Sequence, residues 1–165
     1  MNKETLAGMR LVAFDVDGVF TDGRFYLSND GVESKAFHTH DGFGVRQLLI
    51  AGIDVAVISG RESAAVERRM QELGVQHVIQ GNADKVSAFE SLIKNLTIDE
   101  KQAVYVGDDL PDLPLLRRVG LSVAVNNAHK DVKVECDYIT DNAGGFGAVR
   151  EVCDLILAAR HELGY

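Results

Sequence analysis

The stretch Leu11-Val12-Ala13-Phe14-Asp15-Val16-Asp17-Gly18-Val19 decides how the rest of this chain is read. Four consecutive apolar residues bounded by an acid are too few for a helix and suit a strand buried on both faces. The strand runs out into two carboxylates one residue apart and then a glycine. In open α/β sheets, ligands bind beyond the carboxyl ends of the strands, so Asp15 and Asp17 stand where chemistry is expected.

Working outward, the same form recurs. Asp54-Val55-Ala56-Val57-Ile58 leads into Ser59-Gly60-Arg61, and Ala103-Val104-Tyr105-Val106 leads into Gly107-Asp108-Asp109-Leu110-Pro111-Asp112. Leu121-Ser122-Val123-Ala124-Val125 is a further strand, and the short run His77-Val78-Ile79 precedes a helix opened by Lys85. Helical periods fill the gaps. Ser63 to Leu73 sets Val66, Met70 and Leu73 on one face, and Gly147 to Leu163 does so with Val149, Val152, Cys153, Ile156, Ala159 and Leu163. This alternation predicts an α/β fold, a parallel sheet sandwiched by helices. One segment departs from it: residues 24–37, with Ser28-Asn29-Asp30-Gly31 as the turn, read as a β-hairpin. A lone hairpin is marginal in water and should pack on something. With no repeat or linker in sight, residues 1–165 are expected to form one domain.

A hydrophobic content of 46% is enough for one sizeable core, and the net charge of −8 without a basic run argues against nucleic acid or an anionic membrane as partner. Met1 to Arg10 lacks the apolar centre of a signal peptide, and no apolar run approaches the roughly 20 residues of a membrane span, so a cytoplasmic protein is expected. Cys136 and Cys153 have neither the spacing nor the neighbours of a disulfide framework or a zinc site.

Acidic side chains gathered at one sheet edge repel one another, and a divalent cation resolves the conflict. Hard oxygen ligands suit Mg²⁺. The expected ligands are the carboxylates of Asp15 and Asp108 and the backbone carbonyl of Asp17, with Asp109 and Asp112 behind them. A phosphoryl group held by such a metal, by Ser59, by Lys85 and by backbone amides near Asp17 and Gly18 could be attacked in line by Asp15, while Asp17 serves as general acid and then base. Gly18 and Gly60 are the positions where backbone could approach the substrate closely. Each motif alone has a plainer reading. Asp-x-Asp-Gly is a common turn, Ser59 and Asp108-Asp109 could cap helices, and Lys85 could be a solvated surface residue. Their joint appearance, each after a strand, is what favours catalysis.

These residues resemble the haloacid dehalogenase superfamily, whose four motifs are matched by Asp15-Val16-Asp17-Gly18, Ser59, Lys85 and Gly107-Asp108-Asp109-Leu110-Pro111-Asp112. The resemblance implies a Rossmann-like fold and Mg²⁺-dependent phosphoryl transfer through an aspartyl phosphate. An acid two residues after the nucleophile is the phosphatase version of that pattern. Neither inter-motif gap has room for a cap domain, so the capless subclass is implied, and an open site would draw on a neighbouring subunit for its walls.

More narrowly, the chain is similar to phosphatases of 8-phosphorylated octulosonic sugar acids in lipopolysaccharide synthesis. The likeness runs through Asp15 to Gly23, Phe37-His38-Thr39-His40-Asp41-Gly42, Ile58 to Arg61, the Gly107 motif and Gly144-Gly145-Phe146-Gly147-Ala148-Val149-Arg150-Glu151. Phosphatases of the related nonulosonate 9-phosphates share much of it. The resemblance implies a homotetramer joined through the hairpins, and a substrate carboxylate for which Arg61, then Arg68, is the expected cation. His38 and His40 are expected on the descending hairpin arm, and Thr21 and Asp22 as braces of the loop after Asp17. Such enzymes often carry a tail beyond the last helix that folds over an active site, whereas this sequence stops at Tyr165, near that helix's expected end. Two other classes fit the pattern less well. A signalling receiver domain would place adjacent acids first and a phosphoacceptor Asp at a middle strand, where this chain has Ser59. A non-catalytic oligomerisation module would have no use for Asp15, Asp17, Lys85 and Asp108 together.

Overall fold

The computed structural model describes residues 2–164. A short helix α1 (Lys3–Ala7) leads into β1 (Leu11–Phe14), and a hairpin of β2 (Tyr26–Leu27) and β3 (Glu33–Ser34) follows. Then come α2 (Thr39–Ile50), β4 (Asp54–Ile58), α3 (Ala64–Leu73), β5 (His77–Ile79), α4 (Lys85–Leu96) and β6 (Ala103–Gly107). The chain continues through α5 (Leu113–Leu116), β7 (Leu121–Ala124), α6 (Lys130–Lys133), β8 (Tyr138–Ile139) and α7 (Ala148–Leu163).

Six strands form one sheet in the order β5-β4-β1-β6-β7-β8, every pair parallel. Leu11 stands opposite Asp54 on one side and Ala103 on the other, which puts the ends of β1, β4 and β6 level. The central strands β1, β6 and β7 are buried at every position, in keeping with their largely apolar runs. Helices α1, α2 and α7 pack together, and α4 packs with α5, so helices flank the sheet. Val66, Met70 and Leu73 are buried along α3, and Val149, Val152, Cys153, Ile156 and Ala159 along α7, as their spacing predicts. The side chain of Leu163, expected on the same face, lies outside the described residues. Full burial contributes about 1.5–3 kcal/mol for each large aliphatic side chain.

The hairpin turn closes through Ser28 N–H to Val32 C=O (3.0 Å) and Gly31 N–H to Ser28 C=O (3.0 Å). Its paired strands are shorter than residues 24–37 suggest. His38 and His40 are not on the descending arm: His38 is the N-cap of α2, its side chain accepting from His40 N–H, and His40 sits in the helix's first turn. A polar cap residue just ahead of an acid in the first turn is the mark of a helix start, and it outweighs the alternation of the two histidines.

Candidate active site

Three of the candidate side chains follow the ends of strands, and a fourth opens a helix. Asp15 follows β1 and its N–H donates to Val106 C=O (2.9 Å), tying it to β6. Ser59 follows β4 and is anchored by its N–H to Ile79 C=O (2.9 Å). Asp108 follows β6, and Lys85 is the first residue of α4, whose cap Asp84 accepts from Ser87 N–H. Asp15, Asp17, Ser59, Gly60, Arg61, Lys85, Asp108, Asp109 and Asp112 all line one open cavity of about 360 Å³.

Lys85 is buried, with its Nζ 3.0 Å from Asp15 Oδ1 and 2.7 Å from Asp112 Oδ1. The Tyr105 hydroxyl, wholly buried on β6, donates to the same Asp112 oxygen at 2.8 Å. The other Asp112 oxygen accepts from the N–H groups of Asp108 (3.0 Å) and Asp109 (3.3 Å). Asp112 is therefore saturated and serves to hold Lys85 and the Asp108 backbone. Asp109 caps the 3-10 turn Leu110–Asp112, accepting from Leu110 N–H at 2.8 Å.

Asp15, Asp108 and Asp112 offer oxygens that all lie within 4.8 Å of one another. The electrostatic result is large. Burial, then the charge of Asp112, pushes the Asp15 carboxyl up to about 6 against the pull of Lys85. Burial, then Asp15, Asp112 and Asp109, pushes Asp108 up to about 7. Burial also opposes charge on Lys85, but Asp15 and Asp112 outweigh it and hold its pKa above the ordinary lysine value. With Asp112 saturated by donors, Asp15 and Asp108 retain the capacity to bind a cation. A crowded set of hard oxygens whose repulsion raises their own pKa values fits a hard divalent ion such as Mg²⁺.

Gly18 shows why the loop needs its glycine. Its φ is +90°, and a Cβ there would lie 2.0 Å from Asp108 Oδ2. The space a side chain would fill is the one Asp108 occupies, so this glycine admits a carboxylate; it does not line the cavity, where substrate contact was expected. A Cβ on Gly144 would lie 1.6 Å from Gly18 O, so the Gly144-Gly145 stretch packs directly under the same loop. Thr21 Oγ1 accepts from the N–H groups of Gly18 (3.4 Å) and Gly23 (3.2 Å), the bracing role expected of it. Asp22 instead accepts from Arg24 N–H at 3.0 Å.

The two expected substrate arginines part company. Arg61 is at the cavity, its Nη2 2.8 Å from Glu33 Oε2, its Nε 3.7 Å from Asp17 Oδ2 and its guanidinium 4.2 Å over the Phe25 ring. Arg68 is on the exposed face of α3, 83% exposed and paired with Glu72 at 3.4 Å, and does not reach the cavity. Helical spacing keeps it on the chain's outer surface despite its nearness in sequence to Arg61.

Three participants escape a reading of the sequence. Glu33 and Lys35 come from the hairpin, and the Lys35 ammonium pairs with Asp17 Oδ1. Nothing in the local sequence separates Lys35 from a solvated strand lysine, because its position depends on how the hairpin folds back. Tyr105 reads as one more core residue of a central strand; the signal was a hydroxyl with no water to bond, which needs a partner.

Comparison with known proteins bears on this arrangement. A model of the haloacid dehalogenase-like hydrolase family matches residues 75–152. The 3-deoxy-D-manno-octulosonate 8-phosphate phosphatase KdsC of Escherichia coli (strain K12) is 49% identical over 155 residues, covering 94% of this chain and 82% of that protein. The crystal structure of the corresponding phosphatase from Yersinia pestis superposes with a TM-score of 0.95 at 46% identity, covering 98% of this chain and 88% of that one. The Moraxella catarrhalis phosphatase, crystallised with magnesium, phosphate and KDO, gives 0.94 at 44% identity, covering 98% and 93%.

Proposed function

The chain belongs to the haloacid dehalogenase-like hydrolases, in the family of the 3-deoxy-D-manno-octulosonate 8-phosphate phosphatases, and from that premise we propose how its residues carry out the reaction. It is a phosphoric monoester hydrolase with Mg²⁺ as cofactor, and its substrate is 3-deoxy-D-manno-octulosonate 8-phosphate. The observation that carries the reading is Asp15 at the end of β1, paired with Lys85 at 3.0 Å and facing Asp108 across one cavity.

Asp15, Asp108 and the backbone carbonyl of Asp17 would hold Mg²⁺. When bound, the ion neutralises the crowded carboxylates and draws charge from a phosphoryl oxygen. Lys85 and the Ser59 hydroxyl hold the remaining phosphoryl oxygens, and Lys85 also orients Asp15. Asp15 forms a bond to phosphorus as the bond to the sugar oxygen breaks, and Asp17 passes its proton to that oxygen. The Asp17 carboxylate then takes a proton from water as the water attacks phosphorus and frees Asp15. Arg61, half-exposed at the rim, meets the substrate carboxylate by exchanging its Glu33 partner for it. Residues 1–165 act as one domain. The exposed apolar residues Tyr26, Leu27 and Val32 of the hairpin support assembly into a homotetramer. Among the described residues no helix is long and apolar enough to cross a membrane.

The test is turnover. Phosphate release from the octulosonate 8-phosphate with Mg²⁺ is expected, abolished by chelation and by Asp15→Asn. A higher kcat/KM on a nonulosonate 9-phosphate would move the assignment to that sugar acid, and no release from either would overturn it.

A further inference from the structure

The hairpin is largely exposed, with Tyr26 and Leu27 each at 64% and Val32 at 59%, yet the Lys35 side chain just beyond β3 is only 1% exposed. A lysine so enclosed normally has its charge paired, because removing an ammonium from water costs several kcal/mol. Its partners are Asp17 Oδ1 and, 3.8 Å away, Glu33 Oε1. Glu33 in turn holds Arg61 at 2.8 Å. One hairpin thus grips the carboxyl of Asp17 and the guanidinium beside it.

We infer that Lys35 is a positioning residue for the acid-base carboxyl of Asp17, an assignment that rests on the phosphatase reading above. Asp17 sits on a loop, and proton transfer requires its carboxyl oxygen within about 2.6–3.2 Å of the leaving oxygen. Lys35 takes one oxygen and so fixes both side-chain torsions. The other, Oδ2, makes no hydrogen bond among the described residues and is shut off from solvent beside Arg61 Nε at 3.7 Å. That oxygen is the one left to carry the proton, and it is uncovered when Arg61 turns to a ligand. Lys35 does not line the cavity, so it acts through Asp17 and exchanges no proton with the substrate.

The measurement is kcat/KM for a series of phosphate monoesters whose leaving groups run from dinitrophenol to an alkyl alcohol, with saturating Mg²⁺. This constant covers the steps through cleavage of the ester bond, and an activated phenol departs without a proton. Lys35→Met is expected to lose about 100-fold on the alkyl phosphate and to keep nearly full activity on the dinitrophenyl ester, with Lys35→Arg recovering part of the alkyl rate. A loss by the same factor across the series, as loosening of the hairpin or loss of metal would give, overturns the proposal, as does no loss at all. If Lys35→Met gives no thermal unfolding transition, Lys35→Gln, which keeps a polar side chain but removes the ammonium, carries the same contrast. Wild-type turnover of the series tests the phosphatase reading by itself. Its absence would overturn that reading, whereas a uniform loss in the variant overturns only the role of Lys35.

Discussion

Asp15 and Asp108 are carboxylates enclosed by protein and by one another, so protons would compete with a metal ion held between them. Their raised pKa values, about 6 and about 7, mean that the metal-free native state binds more protons than the unfolded chain above the ordinary carboxylate pKa. Stability of the metal-free protein therefore falls as pH rises through that window and levels off above the folded pKa values. Mg²⁺ reverses the penalty only where the protons have left. At a hundredfold excess over Kd it should add about 2.7 kcal/mol, roughly 5–10 °C in melting temperature for a chain of this size. That increment is expected near pH 8 and largely absent near pH 5; scanning calorimetry showing equal increments would contradict it. At this scale the sequence was legible where residue type and strand end coincide. Asp15, Ser59 and Asp108 meet because parallel strands of matched register end together, and the start of α4 brings Lys85 to them. Lys35 and Tyr105 were not legible, since a lysine on a hairpin and a tyrosine in a core strand each have an ordinary explanation until their neighbours are known. Arg68 lies away from the cavity of its own chain, because nearness along the sequence says little about which face of α3 a side chain takes.

The hairpin is the element whose sequence says most about what lies beyond one chain. Its turn was readable from Asn29-Asp30-Gly31, and the antiparallel pairing of Tyr26 with Ser34 and Leu27 with Glu33 follows from it. Its end was not, because His38 and His40 alternate like strand residues yet open α2. One part of the hairpin turns inward, through Glu33 and Lys35, and another outward, through Tyr26, Leu27 and Val32. Burial of outward side chains at about 1.5–3 kcal/mol each, repeated in each copy, would be a sufficient force for the proposed assembly. Light scattering of the wild-type protein should give a tetramer, and Leu27→Asp a smaller species with its secondary structure intact. A wild-type monomer that remains fully active would contradict the role assigned to the hairpin.

At the scale of the molecule, the fold is a device for bringing four chain segments to one edge. The order β5-β4-β1-β6 puts the strand that leads into Asp15 in the middle, with the serine strand on one side and the acidic strand on the other. This much was readable, because short apolar runs ending in polar residues leave a parallel sheet few other arrangements. What needed three dimensions was the crossing of the Gly144-Gly145 stretch beneath Gly18 and the fold-back of the hairpin over Asp17, both long-range contacts without a local sequence signal. Hydrolysis as proposed above proceeds by two successive displacements at phosphorus, the first by Asp15 and the second by water. The stereochemical course of hydrolysis of a phosphate monoester made chiral with oxygen isotopes tests this most directly. Two in-line steps predict net retention of configuration at phosphorus; net inversion would mean that water attacks the substrate itself and that Asp15 never becomes phosphorylated.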